Sequence, residues 1–239
     1  MEDRKQANRI QTSVLNGVEK KALVWLAKRQ PKWMTSDILT YIGIAGSIIV
    51  AVGYALSNLN VMWLWLASFG FFVNWYGDSM DGTLARVRHT QRPIYGFFLD
   101  HSVDGMTITF MCVGAGLSDL LHLSLAMAVL VVYLLLSIVV YINAHLKNEF
   151  KLTYGGMGPT EFRVIMIIVN ICFTYITALR EFSLDFSILG KSISLGAFDI
   201  VALVILVLLI FFYLQTLITD AKGYAKIDPV KPFDGKIEE

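Results

Sequence analysis

The chain has 239 residues, enough for one compact domain or one small helical bundle. Its hydrophobic fraction of 56% and its mean hydropathy of +0.60 exceed those of ordinary soluble domains and favour a membrane protein. The formal net charge of +1 gives no reason to expect nucleic acid or a strongly acidic partner.

The N-terminal segment is predicted to be an amphipathic helix that lies on the membrane surface. Apolar residues recur at spacings of three and four between Ile10 and Leu26, with lysines and arginines between them. This pattern is typical of helices that lie in the membrane interface. Pro31 ends the helix, so residues 1–34 are assigned to it and to its linker. Thr35 is then a candidate N-cap for the next helix.

Six further segments approach or meet the roughly 20 apolar residues that a membrane span needs. In chain order they are 37–56, 61–77, 95–117, 121–146, 161–179 and 195–219. The sequence therefore predicts an all-α fold: a six-helix transmembrane bundle in residues 35–220, preceded by the interfacial helix and followed by a polar tail at 221–239.

The distribution of basic residues predicts the orientation of this bundle. If the first span begins in the cytoplasm, six crossings return the C-terminus to the same side. Only Arg180 and Lys191 of the 20 lysines and arginines then fall outside, which is a strong positive-inside bias. Both termini, the stretch 77–106 and the loop 154–161 are therefore predicted to be cytoplasmic.

Four aspartates lie where the flanking chain is typical of membrane: Asp78, Asp81, Asp100 and Asp104. The first two share one face of the second predicted span as it continues into the interface, and the last two are four residues apart on the third. A short loop should make these faces meet. Four carboxylates in one cleft repel one another, so we expect a bound cation. Hard oxygen ligands favour Mg²⁺, Mn²⁺ or Ca²⁺, and four carboxylates can hold two such ions.

Two small residues and an arginine share the face of the first two aspartates. Gly82 and Ala85 would let a ligand approach the helix backbone, and Arg86 could pair with a phosphate. Two metal ions about 3.5–4 Å apart recur where displacement occurs at phosphorus. The alternative is that Gly82 and Ala85 only pack helices while Arg86 extends to the membrane surface.

Taken together, these positions resemble the signature of the CDP-alcohol phosphatidyltransferase family. The pattern is D-x-x-D-G-x-x-A-R at 78–86, followed by G-x-x-x-D-x-x-x-D at 96–104. The start of the first span, MTSDILTYIG, is similar to the family's Thr-Pro-Asn-x-Leu-Thr but departs from it at Ser36 and Asp37. The resemblance implies an integral-membrane phospholipid synthase, in which an alcohol hydroxyl attacks the pyrophosphate of a CDP-linked donor and CMP leaves.

The resemblance also implies a role for each motif residue. Asp78, Asp81 and Asp100 would bind metal, Mg²⁺ or Mn²⁺ and two ions in number, and Asp104 would complete the site and act as general base. The implied CMP pocket is lined by Gly82, Ala85 and Arg86. Membrane lipids and a second copy of the chain, forming a homodimer, are the implied partners.

Three further residues are predicted to contact substrate. Gly96 lies on the aspartate face of the third span, and His101 is either an alternative base or a hydrogen-bonding neighbour. Glu161 suits the N-terminal end of a helix dipole, and contact with substrate is its second possible role.

Two donor classes remain open. LDHSVD and GGMGPTE resemble segments of choline and ethanolamine phosphotransferases, which use CDP-choline or CDP-ethanolamine with diacylglycerol as acceptor. The chain is shorter than those enzymes and would lack their extra helices, so from sequence alone we predict CDP-diacylglycerol with a polar alcohol.

A cation or proton transporter is a third alternative, since carboxylates within membrane segments also mark ion pathways. The clustering of all four aspartates at the cytoplasmic ends of two helices argues against it.

Overall fold

The structure, a computed structural model, describes residues 8–10, 15–147, 149–151, 158–188 and 191–230. This part of the chain is mostly α-helical, which confirms the predicted all-α class. The helices are α1 (Asn16–Ala27), α2 (Ser36–Leu56), α3 (Leu64–Val87), α4 (Pro93–Gly116), α5 (Leu123–Lys147), α6 (Pro159–Tyr175), α7 (Thr177–Glu181) and α8 (Ala197–Ile227). A 3₁₀ turn, Val61–Trp63, precedes α3.

Three of these helices, α2, α5 and α8, are long and apolar enough to cross a membrane by length and composition. The prediction of six spans also needs α3, α4 and α6. The first two carry the aspartates, and α6 has only 17 residues, with Glu161 and Arg163 near its start. These charged residues lower the apolarity of the three helices, so the count of six stays a prediction.

Two small pairs of strands accompany the helices. β1 (Asn8–Ile10) pairs in parallel with β2 (Glu149–Lys151), and β3 (Ser183–Ile188) pairs in antiparallel with β4 (Lys191–Gly196). The second pair has a sequence signal, because apolar and polar residues alternate along SLDFSI and KSISLG. The described residues between α7 and α8 are therefore mainly an antiparallel pair of strands.

The N-terminal helix is shorter than predicted. Ile10 belongs to strand β1, α1 begins at Asn16, and residues 1–7 and 11–14 lie outside the described part of the chain. The prediction that this helix lies in the membrane interface is untested. At the other end, α8 continues to Ile227, beyond the predicted boundary at residue 220, and residues 231–239 are again outside the described part.

Helices α2 and α3 meet along a seam of glycines, which brings their backbones into direct contact. Gly43, Gly46 and Gly53 on α2 lie against α3, and Gly70 and Gly77 on α3 lie against α2. A Cβ atom on Gly77 would overlap the backbone of Gly43. Small residues allow this close approach between membrane helices. The seam fixes the register of α3 against α2, and therefore the position of Asp78 and Asp81 along the axis of α2.

An aromatic core holds the end of the bundle remote from the aspartates. Tyr54 packs edge-on against Phe71 and Phe198, at 6.4 and 5.9 Å between ring centroids. Its hydroxyl donates to Oδ1 of Asn170 on α6 at 2.9 Å. Because Tyr54, Phe71, Asn170 and Phe198 lie on α2, α3, α6 and α8, this core joins four helices.

The N-terminal helix is fastened to the helices behind the aspartates. Glu19 on α1 accepts hydrogen bonds from the Trp75 indole at 2.8 Å and the Ser79 hydroxyl at 3.1 Å, both on α3. It also accepts from the hydroxyl of Thr160 on α6 at 2.8 Å. One carboxylate on α1 therefore links α3 and α6.

Candidate active site

The segment 88–92 connects the two helices that carry the aspartates. His89 adopts a left-handed conformation, with φ of 56°, and the amide of Thr90 donates to the carbonyl of Ala85 at 3.0 Å. Such a residue commonly ends a helix. Pro93 then begins α4, where its fixed φ suits the first helical turn. The chain therefore turns between α3 and α4 within a few residues, as the sequence predicts.

Three of the four predicted metal ligands come together. Asp78 on α3 and Asp100 and Asp104 on α4 each offer a carboxylate oxygen within 4.8 Å of the others, and all three are partly buried. The spacing of four residues on α4 places its two carboxylates on one face of that helix. Three hard oxygen ligands at this separation suit Mg²⁺ or Mn²⁺, and we call Asp78, Asp100 and Asp104 the carboxylate cluster.

Asp81, the fourth predicted ligand, lies beside this cluster and is buried against α2. Its Oδ2 accepts a hydrogen bond from the Thr40 hydroxyl at 2.7 Å, and its Oδ1 accepts from the amide of Gly82. Asp81 lies beyond the end of the predicted second span. Burial, followed by the charges of Asp100 and Asp78, raises the pKa of Asp81 to about 7. A bound divalent cation would relieve this repulsion between carboxylates.

A cavity of about 210 Å³ opens next to the cluster, between the first turns of α2, the last turns of α3 and the start of α4. Five of the six residues predicted to bind substrate line it: Gly82, Ala85, Arg86, Gly96 and His101. Two of the predicted metal ligands, Asp81 and Asp100, line it as well. A Cβ on Gly82 would lie 3.4 Å from Nη1 of Arg86, whereas a Cβ on Gly96 would project into open space. A guanidinium on the wall of this cavity suits a phosphate-bearing ligand, and the binding of phosphate here stays a prediction.

An ion pair lies across the cavity wall. Arg92, before α4, pairs with Asp37 in the first turn of α2, and its guanidinium also lies 4.0 Å from the ring centre of Tyr95. Both charged residues line the cavity. The hydrogen bond to Asp37 raises the pKa of Arg92. Asp37 is one of the two positions at which this chain departs from the family's usual start, and here it engages a cation.

Arg163 on α6 is a site residue that the sequence analysis missed. Its Nη2 donates to Oδ2 of Asp78 at 2.6 Å, and its Nε donates to Oδ1 of Asn74 at 2.8 Å. Asn74 in turn donates to the carbonyl of Gly43 on α2 at 2.8 Å. Arg163 is only 9% exposed. A single cation near the start of an otherwise apolar helix was the available signal, since charges within membrane segments usually have a partner.

Glu161 lies at the N-terminus of α6, where it accepts hydrogen bonds from two backbone amides. They belong to Gly158 and Leu15, each at 2.9 Å. The first bond is a capping interaction that satisfies a helix N-terminus, and the second ties α6 to the start of α1. The structure therefore supports the helix-terminal role of Glu161, and its contact with substrate stays a prediction.

His101 faces back along its own helix. Its Nδ1 lies 2.6 Å from the carbonyl of Phe97, and its ring stacks on that of Phe97 with centroids 4.1 Å apart. The same nitrogen is 3.9 Å from Oδ2 of Asp100. This placement fits a hydrogen-bonding neighbour of the site, which is one of the two roles predicted for His101, and its role in the reaction stays a prediction.

Comparison with known proteins gives a consistent result. Residues 33–221 match the sequence model of CDP-alcohol phosphatidyltransferases. Cholinephosphotransferase 1 of Bos taurus is 25% identical over 159 residues, which cover 63% of this chain and 38% of that protein. The Homo sapiens protein of the same name is 26% identical over 153 residues, covering 61% of this chain and 37% of the relative. The match therefore spans less than half the length of these relatives.

Proposed function

Because the chain belongs to the CDP-alcohol phosphatidyltransferase family and is therefore a phosphotransferase, we propose that it moves a substituted phosphoryl group from a CDP-linked donor to an alcohol hydroxyl and releases CMP. The observation that carries this proposal is the carboxylate cluster beside a cavity lined by Gly82, Ala85 and Arg86. In this proposal the cavity holds the CMP half of the donor, and the adjacent cluster holds metal close to the pyrophosphate of the donor.

In this proposal each residue has a distinct task. Arg86 pairs with a phosphate of the nucleotide, and Gly82 keeps the helix surface open for it. Asp78, Asp100 and Asp104, with Asp81 beside them, would hold Mg²⁺ or Mn²⁺, which neutralises charge on the phosphoryl oxygens when bound.

Asp104 is the proposed general base. A carboxylate that gives one oxygen to a metal has a second oxygen that can accept a proton, and Asp104 lies one helical turn beyond Asp100. It would take the proton of the acceptor hydroxyl as that oxygen attacks phosphorus. The bond between this phosphorus and the CMP oxygen breaks, and CMP departs with the bonding electrons.

The relatives and two ion pairs favour an aminoalcohol donor with diacylglycerol as acceptor. The curated relatives are named cholinephosphotransferases. In addition, Arg92 is paired with Asp37, and Arg163 is paired with Asp78. A phosphorylated acceptor would have to compete with these aspartates for the arginines, whereas the neutral hydroxyl of diacylglycerol has no need of them. CDP-choline or CDP-ethanolamine is therefore the donor class we favour.

CDP-diacylglycerol, the donor predicted from the sequence, is the second candidate. Ile94 and Phe98, on the first turns of α4 beside the cavity, are 75% and 67% exposed. An apolar surface next to the nucleotide site suits a donor whose acyl chains enter together with CMP.

One experiment separates the two donors. Purified protein with Mg²⁺ is given CDP-choline or CDP-ethanolamine with diacylglycerol, and separately CDP-diacylglycerol with a panel of polar alcohols. CMP release and lipid product are both recorded, and Asp100→Asn is the inactive control. Product from the first set alone supports the favoured donor, and product from the second set alone supports the other. Absence of CMP release from every donor would contradict the proposed activity.

The orientation and assembly of the protein are further parts of the proposal. The positive-inside bias supports six spans with both termini and the cluster in the cytoplasm. A homodimer follows only from the family resemblance, and cross-linking in native membranes that yields monomer alone would contradict it.

A further inference from the structure

The contact between Arg163 and Asp78 has a consequence for metal binding. Arg163 is a cation that belongs to the protein, and its guanidinium lies 2.6 Å from one oxygen of a carboxylate in the cluster. A divalent ion held by the same carboxylate would lie only a few ångströms away from this positive charge. Two cations that share one carboxylate repel each other.

We propose that Arg163 is a built-in counter-cation of the carboxylate cluster, which stabilises the metal-free site and weakens the binding of divalent metal to it. The inference rests on the metal site of the proposed function and adds the control of its affinity. It gives a role to Arg163, which lies two residues beyond the GGMGPTE segment and has no role in the sequence analysis.

The geometry keeps the guanidinium in place. Its second hydrogen bond goes to Asn74, which is itself held by the carbonyl of Gly43 on α2. A planar guanidinium with two directed hydrogen bonds has little freedom to withdraw when metal arrives. Repulsion between Arg163 and the metal therefore persists in the loaded site.

The first turn of α6 is fixed on its other side as well. Thr160 donates to Glu19, and Glu161 accepts from the amide of Leu15, so two consecutive residues fasten α6 to α1 and its N-terminal flank. The contact of Arg163 with Asp78 is therefore made from a helix N-terminus that hydrogen bonds to Leu15 and Glu19 hold in place. Movement of α6 away from the cluster would have to break these contacts.

Thermodynamic reciprocity fixes the sign of the expected effects. If Arg163 favours the metal-free site over the loaded one, it must weaken metal binding by the same free energy. Arg163→Gln should therefore bind metal more tightly than the wild type. It should also depend more strongly on metal for its stability, because its cluster lacks a resident cation.

The test measures Mn²⁺ affinity and thermal stability of the purified protein, without substrates. Free Mn²⁺ is titrated by electron paramagnetic resonance, and unfolding midpoints are measured with Mg²⁺ and with EDTA. We expect Arg163→Gln to lower the Kd for Mn²⁺ by about tenfold. We expect EDTA to lower its midpoint by about 4 °C more than it lowers that of the wild type.

Two further variants distinguish charge from packing. Arg163→Lys keeps a cation that can pair with Asp78. Its Kd for Mn²⁺ should therefore stay within a few-fold of the wild-type value. Arg180→Gln is the matched control, because Arg180 lies on α7 and donates to the carbonyls of Phe173 and Thr174. Relative to the wild type, Arg180→Gln should lower the unfolding midpoint by the same amount with Mg²⁺ as with EDTA.

The outcomes separate this inference from the metal site itself. An unchanged or raised Kd in Arg163→Gln, with clear Mn²⁺ binding to the wild type, would overturn the counter-cation role and leave the metal site standing. Absence of Mn²⁺ binding to the wild type would overturn both. If Arg163→Gln cannot be purified, adding Asp78→Asn should restore folded protein, since the unpaired charge is then gone. Failure of that double variant to fold would assign Arg163 to packing and refute the inference.

Discussion

Replacing Gly77 with alanine should force α2 and α3 apart immediately beside the carboxylate cluster. A Cβ at this position would lie 2.5 Å from the carbonyl oxygen of Leu39, about 0.9 Å short of the 3.4 Å at which ordinary contact begins. It would also overlap the backbone of Gly43. The atoms that the new Cβ would meet are all backbone atoms of α2, so no side-chain rotation can relieve the overlap.

The effect on activity follows from the position of the next residue. Asp78 follows Gly77 directly, so a displacement of α3 moves Asp78 relative to Asp100 and Asp104. A misplacement of about 1 Å in a catalytic arrangement can reduce the rate about 100-fold. Overpacking of this kind costs about 1–3 kcal/mol in stability. We therefore expect Gly77→Ala to lower kcat by about 10- to 100-fold and the unfolding midpoint by several degrees.

The measurement is CMP release, combined with thermal unfolding in detergent. Gly223→Ala is the matched control, since Gly223 lies within α8 and a Cβ there would have nothing within 4 Å. The control should be as active as the wild type and up to about 1 kcal/mol more stable, because alanine favours helix over glycine. If Gly77→Ala had wild-type kcat and midpoint, the reasoning about the glycine seam would be refuted.

Three other predictions address the site and its support. Asp104→Asn should abolish CMP release while preserving nucleotide binding measured by calorimetry, whereas Asp81→Ala should weaken nucleotide and Mn²⁺ binding together. Equal losses of nucleotide affinity in the two variants would contradict this division of roles. Glu19→Ala should lower the free energy of unfolding by about 2 kcal/mol, because three donors lose a charged acceptor. Chemical denaturation measures this loss, and a midpoint equal to that of the wild type would contradict a stabilising link between α1 and the bundle. The predicted orientation places residue 91 in the cytoplasm and residue 59 on the other side of the membrane. An impermeant maleimide should therefore label Gln91→Cys only in inverted vesicles and Leu59→Cys only in right-side-out vesicles. The opposite labelling pattern would contradict this orientation.

The carboxylate cluster could be predicted from the sequence because the spacing of its residues along the chain largely determines its geometry. A spacing of four residues places Asp100 and Asp104 on one face of a helix whatever that helix packs against. The short segment between α3 and α4 limits how far Asp78 can lie from them. The spacing of motif residues therefore carries most of the information about which carboxylates meet.

The contact of Arg163 with the cluster could not be predicted from the sequence in the same way. Its contact with Asp78 joins residues 85 positions apart and depends on how α6 docks against α3. That docking involves buried long-range contacts such as the hydrogen bond that Asn170 on α6 donates to Ser68 on α3, and no spacing rule predicts such contacts. The shorter α1 has a similar cause, since pairing of Asn8–Ile10 with Glu149–Lys151 is a long-range interaction that overrides the local helical pattern.

The hydrogen bonds of Glu19 bear on where this protein can be divided. Sequence similarity to the family begins at residue 33, yet the acceptor for Trp75, Ser79 and Thr160 lies before that point. A fragment cut at the similarity boundary would contain every motif aspartate and still leave these three donors without their carboxylate. We therefore expect a fragment that begins upstream of Leu15 to be more stable than one that begins at residue 33, where the family match starts.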